Sequence, residues 1–97
     1  MTRSQLLSSL FTKKLSKLKG KEFSNIDKKV QEIRNISDLD HYKNLKNVLK
    51  KYKRVHVNNN YVILFFGDDG TVYFVLCKNF KIINLFLQRL RNLFQIS

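Results

Sequence analysis

The sequence predicts an α+β fold: a small single domain over residues 1–97, with N-terminal helices packed on a twisted antiparallel β-meander and a C-terminal helix after it. Three observations predict it. In the first half, apolar residues recur at three- and four-residue spacing, the period of a helix with one buried face. From Tyr52 the period falls to two and is punctuated by turn residues, as in strands joined by hairpins. From about Phe80 the spacing is helical again.

Taken in order, Leu7, Phe11, Leu15 and Leu18 share one helical face, with Lys13, Lys14 and Lys17 mostly outside it. Leu6 and Leu10 extend the pattern, so the N-terminus reads as one long helix, with residues 4–9 ambiguous between helix and strand. Gly20 is expected to end it. A second helix is expected from about Asn25 to Asn35, with Ser24 as N-cap, Asp27 completing a capping-box-like pair, and Phe23, Ile26, Val30 and Ile33 as its apolar stripe. Ser37 and Asp40 repeat the cap logic ahead of Leu39, Tyr42, Leu45 and Leu49, which predicts a third helical segment near 38–50.

Val55 and Val57 then alternate with Arg54 and His56, the pattern of a half-buried strand, and Asn58, Asn59 and Asn60 supply a turn. Tyr61 to Phe66 is a continuous apolar run, expected of a central strand covered on both faces. Gly67, Asp68, Asp69 and Gly70 are hairpin chemistry, and Thr71 to Cys77 makes the third strand. Both connections are too short for a crossover, so the three strands should run antiparallel, with Leu64, Phe66 and Phe74 in the core. In the tail, Ile83, Leu87, Leu90 and Phe94 form a helical stripe with Arg89 and Arg91 on the polar side. Ile82, Leu85 and Phe86 exceed what one face needs, which predicts a partner surface or a homodimer through this helix.

Charge decides the class of partner. Nineteen Lys and Arg against seven Asp and Glu leave a formal net charge of +12 on 11.6 kDa. Such a field concentrates polyanions, screened over about 8 Å at physiological salt. Nucleic acid is the expected partner, and RNA ahead of DNA, because no recognition-helix motif is present. Twelve aromatic residues and a hydrophobic fraction of 43% suffice for a core, which excludes disorder for the chain as a whole. Cys77, the only cysteine, lies in an apolar run, so a disulfide framework and a CxxC pair are excluded. With no apolar stretch of about 18 residues and no signal-peptide pattern, a cytoplasmic protein without a membrane segment is expected. His41 and His56 have no Cys or carboxylate at ligand spacing, and no Gly-rich phosphate loop, GxSxG or HExxH is present. No metal and no cofactor are expected.

Lys50, Lys51, Lys53 and Arg54 stand at the entry to the first meander strand, interleaved with Tyr52 and followed by His56. Lysine and arginine neutralise phosphates, an aromatic ring or a guanidinium plane stacks on an unpaired base, and an imidazole shuttles a proton. The same alternation is also what the solvent face of a strand in any basic protein shows. Lys13, Lys14 and Lys17, continued by Lys19 and Lys21, form a second cluster that either contacts phosphate without reading sequence or is a solvated face.

The element order and several segments resemble the RelE superfamily of toxin proteins, including its YafQ-like and archaeal members. The resemblance covers most of the chain. It rests on FTKKLSKL (Phe11 to Leu18), on Leu45 followed by YKRVHVNNNYVILFF (Tyr52 to Phe66), and on DDGTVYFVL (Asp68 to Leu76) with a helix after it. It implies a small α+β domain with helices on a twisted antiparallel sheet and a strand before the first helix. It further implies a toxin that cleaves mRNA, commonly in the ribosomal A site, by metal-free attack of the ribose 2′-OH, and that a cognate antitoxin neutralises. Lys53, Arg54 and His56 match the family's basic and histidine positions. His56 or a lysine would take the 2′-OH proton, and Arg54 or Lys53 would stabilise the phosphorane. Asn60 stands where YafQ-like members often carry Asp. The family's third-strand arginine and its C-terminal histidine or tyrosine fall at about Leu76 and Phe80, which can do neither job. The competing implication is therefore a catalytically inactive relative that binds RNA or antitoxin.

Overall fold

A computed structural model describes residues 2–46, 49–58 and 60–95. Strand β1 (Ser4–Leu7) leads into helices α1 (Ser9–Lys17) and α2 (Gly20–Asn35), and a 3₁₀ turn at Leu39–His41 precedes β2 (Lys53–Val57). β3 (Tyr61–Gly67), β4 (Thr71–Asn79) and helix α3 (Phe80–Gln95) follow. The sheet order is β1-β4-β3-β2. β2, β3 and β4 form the expected antiparallel meander, with Arg54 opposite Leu64 and Phe66 opposite Tyr73. β1 pairs parallel with β4, placing Leu6 opposite Tyr73, so the sheet is mixed.

The long N-terminal helix expected from residue 6 onward is corrected to a strand and a shorter helix. Ser8 takes an extended conformation and caps α1, its Oγ accepting from the Phe11 amide at 3.0 Å. Upstream, the Ser4 amide donates to Gly70 and the Ser8 amide to Phe74. Arg3 is buried and donates to the carbonyls of Asp68 (2.8 Å), Ile36 and Ile33. These partners lie 30 or more residues away, and the four β1 side chains are all exposed. Local periodicity carries no trace of either fact.

Two further boundaries move. α1 closes at Leu18, whose amide returns to the Leu15 carbonyl. Gly20, expected as a terminator, instead begins α2 with φ +60°, a left-handed turn that glycine adopts without steric cost. Ser24 therefore lies inside α2 and caps nothing, and Phe23 of the expected stripe is exposed while Ile26, Val30 and Ile33 are buried. The helix expected near 38–50 is also replaced. Leu39, Tyr42, Leu45 and Leu49 are buried as their spacing implied, but Asn44 bridges antiparallel to Lys53 and the Leu45 amide donates to Tyr52 at 2.8 Å. The Tyr42 carbonyl is taken by the Lys53 ammonium at 2.9 Å, so it is engaged outside any helical ladder. Part of that expected helix, residues 47–48, lies outside the described residues.

The sheet carries apolar layers on both faces. On one, Phe11, Ile26, Val30 and Ile33 of α1 and α2 pack on Ile63, Phe65, Val72 and Phe74. On the other, Ile83 and Leu87 of α3 join Leu45 and Leu49 against Val62, Leu64 and Leu76. β3 feeds both layers, which explains its unbroken apolar run. The register shifts between Leu64 and Phe65, so Val75 is an extra residue in β4. Leu64 and Phe74 are buried as expected, whereas Phe66 is only half-buried. Leu90 and Phe94 of the predicted C-terminal stripe, Arg91 of its polar side and Phe86 of the predicted partner surface have side chains outside the described set.

Candidate nucleic-acid cleft

Alternation along β2 decides which cations meet solvent, because successive side chains point to opposite faces. Lys53, Val55 and Val57 turn toward the α1 and α2 layer, and Arg54 and His56 turn the other way. Lys53 is 5% exposed. Its ammonium donates to the Tyr42 carbonyl at 2.9 Å, to Asn44 Oδ1 at 2.8 Å and to exposed Asp40 Oδ1 at 3.4 Å. An ammonium has three protons, and all three have acceptors, which is what a buried cation requires.

Arg54 Nη1 donates to Asn84 Oδ1 of α3 at 3.2 Å. The His56 ring lies 5.1 Å from that of Phe80, tilted by 40°. Both residues line an open cleft of about 580 Å³ whose far wall is the segment His41 to Lys46. Lys53 therefore clamps that wall from beneath: its acceptors at Tyr42 and Asn44 are wall residues. Tyr42 anchors the wall from α2, its hydroxyl donating to the Glu32 carboxylate. Burial pushes the Tyr42 phenol well above its ordinary range, and the Tyr42 and Lys29 donors hold Glu32 below the usual carboxylate value. His41 packs edge-on against the Tyr42 ring.

The cleft thus lines up two imidazoles, His41 and His56, with Lys43, Lys46 and Arg54, and no carboxylate lines it among the described residues. Of the group expected from sequence, the structure brings only Arg54 and His56 to this cleft. Lys51 lies elsewhere, its Nζ 5.0 Å from the rings of Tyr52 and of Phe66. Lys50 is exposed, and its carbonyl accepts from Asn44. Lys13 and Lys17 are exposed on α1, and Lys14 Nζ lies 5.2 Å over the Tyr61 ring. Sequence reasoning missed Lys43 and Lys46, and it weighed His41 only as a metal ligand. The usable signal was that burying Tyr42 and Leu45 leaves residues 41, 43 and 46 facing out whatever the element.

At the two positions where the resembled family carries an arginine and a histidine or tyrosine, Leu76 is buried in the α3 layer and Phe80 lies against His56. Asn60 sits in the turn before β3 and accepts from the Phe80 amide. Among the described residues no three His, Cys, Asp or Glu side chains gather as a metal site, and no helix is long and apolar enough to cross a membrane. The Cys77 thiol is buried, which pushes it up to about 11 and keeps it protonated and inert.

The fold and the cleft define a class: a small, basic α+β domain with helices on both faces of a four-stranded sheet and a cationic cleft at its β2 edge. The same fold occurs in the crystal structure of YafQ from E. coli, with a TM-score of 0.65 at 20% identity over 84% of this chain and 97% of that one. It recurs in the RelBE2 toxin-antitoxin complex from Mycobacterium tuberculosis (TM-score 0.67, 16% identity, 80% and 91% of the chains) and in the E. coli DinJ-YafQ toxin-antitoxin complex (0.64, 16%, 84% and 97%). No protein-family model matches the chain. In sequence, 64 residues are 42% identical to "Putative toxin RelE4" of Methanocaldococcus jannaschii, spanning 64% of this chain and 66% of that relative, just under two thirds of its length. The chain is thus similar in sequence to a putative RelE-type toxin and shares the fold of YafQ and of the RelBE2 and DinJ-YafQ structures.

Proposed function

We propose that this chain is the toxin of a type II toxin-antitoxin pair, that it binds RNA in the cleft between β2 and the His41 to Lys46 wall, and that it cleaves mRNA on the ribosome without a metal. The observation that carries this reading is the cleft itself: two imidazoles and three cationic side chains on one concave surface with no carboxylate among the described lining residues. One imidazole takes the ribose 2′-OH proton as O2′ attacks phosphorus, and the P–O5′ bond breaks. The second imidazole returns a proton to O5′, leaving a 2′,3′-cyclic phosphate and a 5′-hydroxyl. Arg54 stabilises the charge that builds on the phosphorane, with Lys43 and Lys46 on the flanking phosphates. Lys53 supports this chemistry through the wall it clamps. Lys13, Lys14 and Lys17 add phosphate attraction that is blind to sequence.

The antitoxin reading is supported by the structural neighbours solved as toxin-antitoxin complexes. Ile82 and Leu85 of α3 are 53% and 61% exposed and sit with Lys78 and Arg89 around a shallow groove. We assign this surface to an acidic amphipathic segment of the antitoxin rather than to a second copy, because pairing two +12 chains brings like charges together.

A binding-only relative is the second reading, favoured by Leu76 and Phe80, which put hydrocarbon where the family carries an arginine and a histidine or tyrosine. One experiment separates the two. Expression without the product of a neighbouring antitoxin gene is expected to arrest growth and fragment transcripts, and co-expression to relieve both. His56→Ala should bind RNA as wild type does but cleave it about a hundredfold more slowly or worse. Steep salt-dependent RNA binding with no cleavage on or off the ribosome would establish the binding-only reading instead.

A further inference from the structure

A second surface adjoins the cleft on the same side of the sheet. Cross-strand register sets Leu6 of β1 opposite Tyr73 of β4, and Tyr73 opposite Phe66 of β3. The Phe66 and Tyr73 rings stack at 4.8 Å with only 9° between their planes, and Tyr52 meets Phe66 edge-on at 5.6 Å. One row of side chains, Leu6, Tyr73, Phe66 and Tyr52, therefore crosses the sheet. The ordinary explanation is cross-strand packing, which stabilises any sheet. Exposure argues for more. The core rings Phe65 and Phe74 are 0% and 1% exposed, whereas Tyr73 keeps 40% and Leu6 51% of their surface in solvent. A groove of about 240 Å³ runs beside them.

We infer that the solvent-facing Tyr73 end of this row stacks an unpaired base of a single-stranded RNA whose backbone continues from the cleft, extending the Phe66–Tyr73 stack, since Phe66 itself already has Tyr73 on it and the Lys51 ammonium over it. Two features favour RNA over an apolar protein segment. Lys51 holds its ammonium over both Tyr52 and Phe66, where a phosphate would satisfy it and an apolar partner would strand it. The row is also close to the cleft, because Tyr52 immediately precedes β2, two residues before Arg54, which lines the cleft with His56. Aromatic rings give affinity to any base through its π-face, and the cations track the backbone. The platform would lengthen the RNA footprint without reading sequence.

The inference rests on the RNA reading of the cleft, so the test uses two lengths of RNA. Fluorescence anisotropy is followed with labelled single-stranded RNAs of about three nucleotides, enough for the cleft alone, and of about ten. Tyr73→Ala is expected to weaken the longer RNA roughly tenfold, to leave the shorter one unchanged and to keep the salt slope, since no phosphate contact is lost. Tyr73→Phe should behave as wild type. Tyr73→Leu, which keeps apolar bulk and removes the π-face, should behave as Tyr73→Ala and carries the test if the alanine variant does not fold. Arg54→Ala should weaken both lengths. Wild-type binding of the longer RNA by Tyr73→Leu, with Arg54→Ala still defective, would overturn the platform and leave the cleft standing. Loss of antitoxin binding without loss of RNA binding in Tyr73→Leu would make the row a protein surface, and wild type binding neither RNA would overturn cleft and platform together.

Discussion

Lys53 carries its charge inward, and the cost of removing it is set by what it leaves behind. Lys53→Met would strand the Tyr42 carbonyl under the cleft wall, while Asn44 Oδ1, on an exposed residue, can turn to water. A buried acceptor without a donor costs about 1–3 kcal/mol. A lower urea midpoint is expected, together with weaker RNA binding even though Arg54 and His56 are untouched. An unchanged midpoint would show that Lys53 clamps nothing. At Cys77, burial favours the neutral thiol in the folded chain, against a smaller opposite pull from Lys14. Its folded pKa is raised, so its contribution to stability is complete below the ordinary value of 9.0 and is lost as pH rises through about 11. Native protein should resist iodoacetamide at about pH 8 while unfolded protein reacts. Rapid native labelling would contradict the buried position.

Turns and caps decide where the elements begin. At Gly67 an added Cβ would press on the Thr71 carbonyl oxygen and stand 2.9 Å from Val72 Cα. Both are backbone atoms of the paired strand, so the hairpin itself must open. Gly67→Ala is expected to destabilise by about 1–3 kcal/mol, read as a lower chemical-denaturation midpoint. Gly70 is a useful control, since the nearest contact of its added Cβ is a side-chain atom of Asp68 at 3.6 Å. A Gly70→Ala variant as damaged as Gly67→Ala would show that loop flexibility rather than close approach governs this turn.

Over the whole molecule, the net charge of +12 predicts attraction to any polyanion, and the fold determines where it becomes a site. If Lys43 and Lys46 each neutralise one phosphate, Lys43→Gln with Lys46→Gln should lower the slope of log affinity against log salt by about one to two. Titrations across salt check this. An unchanged slope with unchanged affinity would remove the far wall from the RNA footprint.

What the sequence determined by itself was what local pattern encodes. The strand alternation at Val55 and Val57, the unbroken run of β3, the Gly67 to Gly70 hairpin, and the burial of Leu39, Tyr42, Leu45 and Leu49 all follow from side-chain period and turn chemistry within a few residues. The charge and the pairing of Arg54 with His56 on one face were legible for the same reason. Tertiary structure decided the rest, because the deciding partners are distant in the chain. β1 exists through Arg3, Ser4 and Ser8 bonding to carbonyls of α2, of the β3–β4 turn and of β4. The 38–50 segment abandons its helical period because Lys53 and Tyr52 claim its backbone groups. The cleft assembles His41, Lys43 and Lys46 against Arg54 and His56 across that interruption. Periodicity reports which residues are apolar, but not which distant donor will capture a given carbonyl, and here that choice shaped the site.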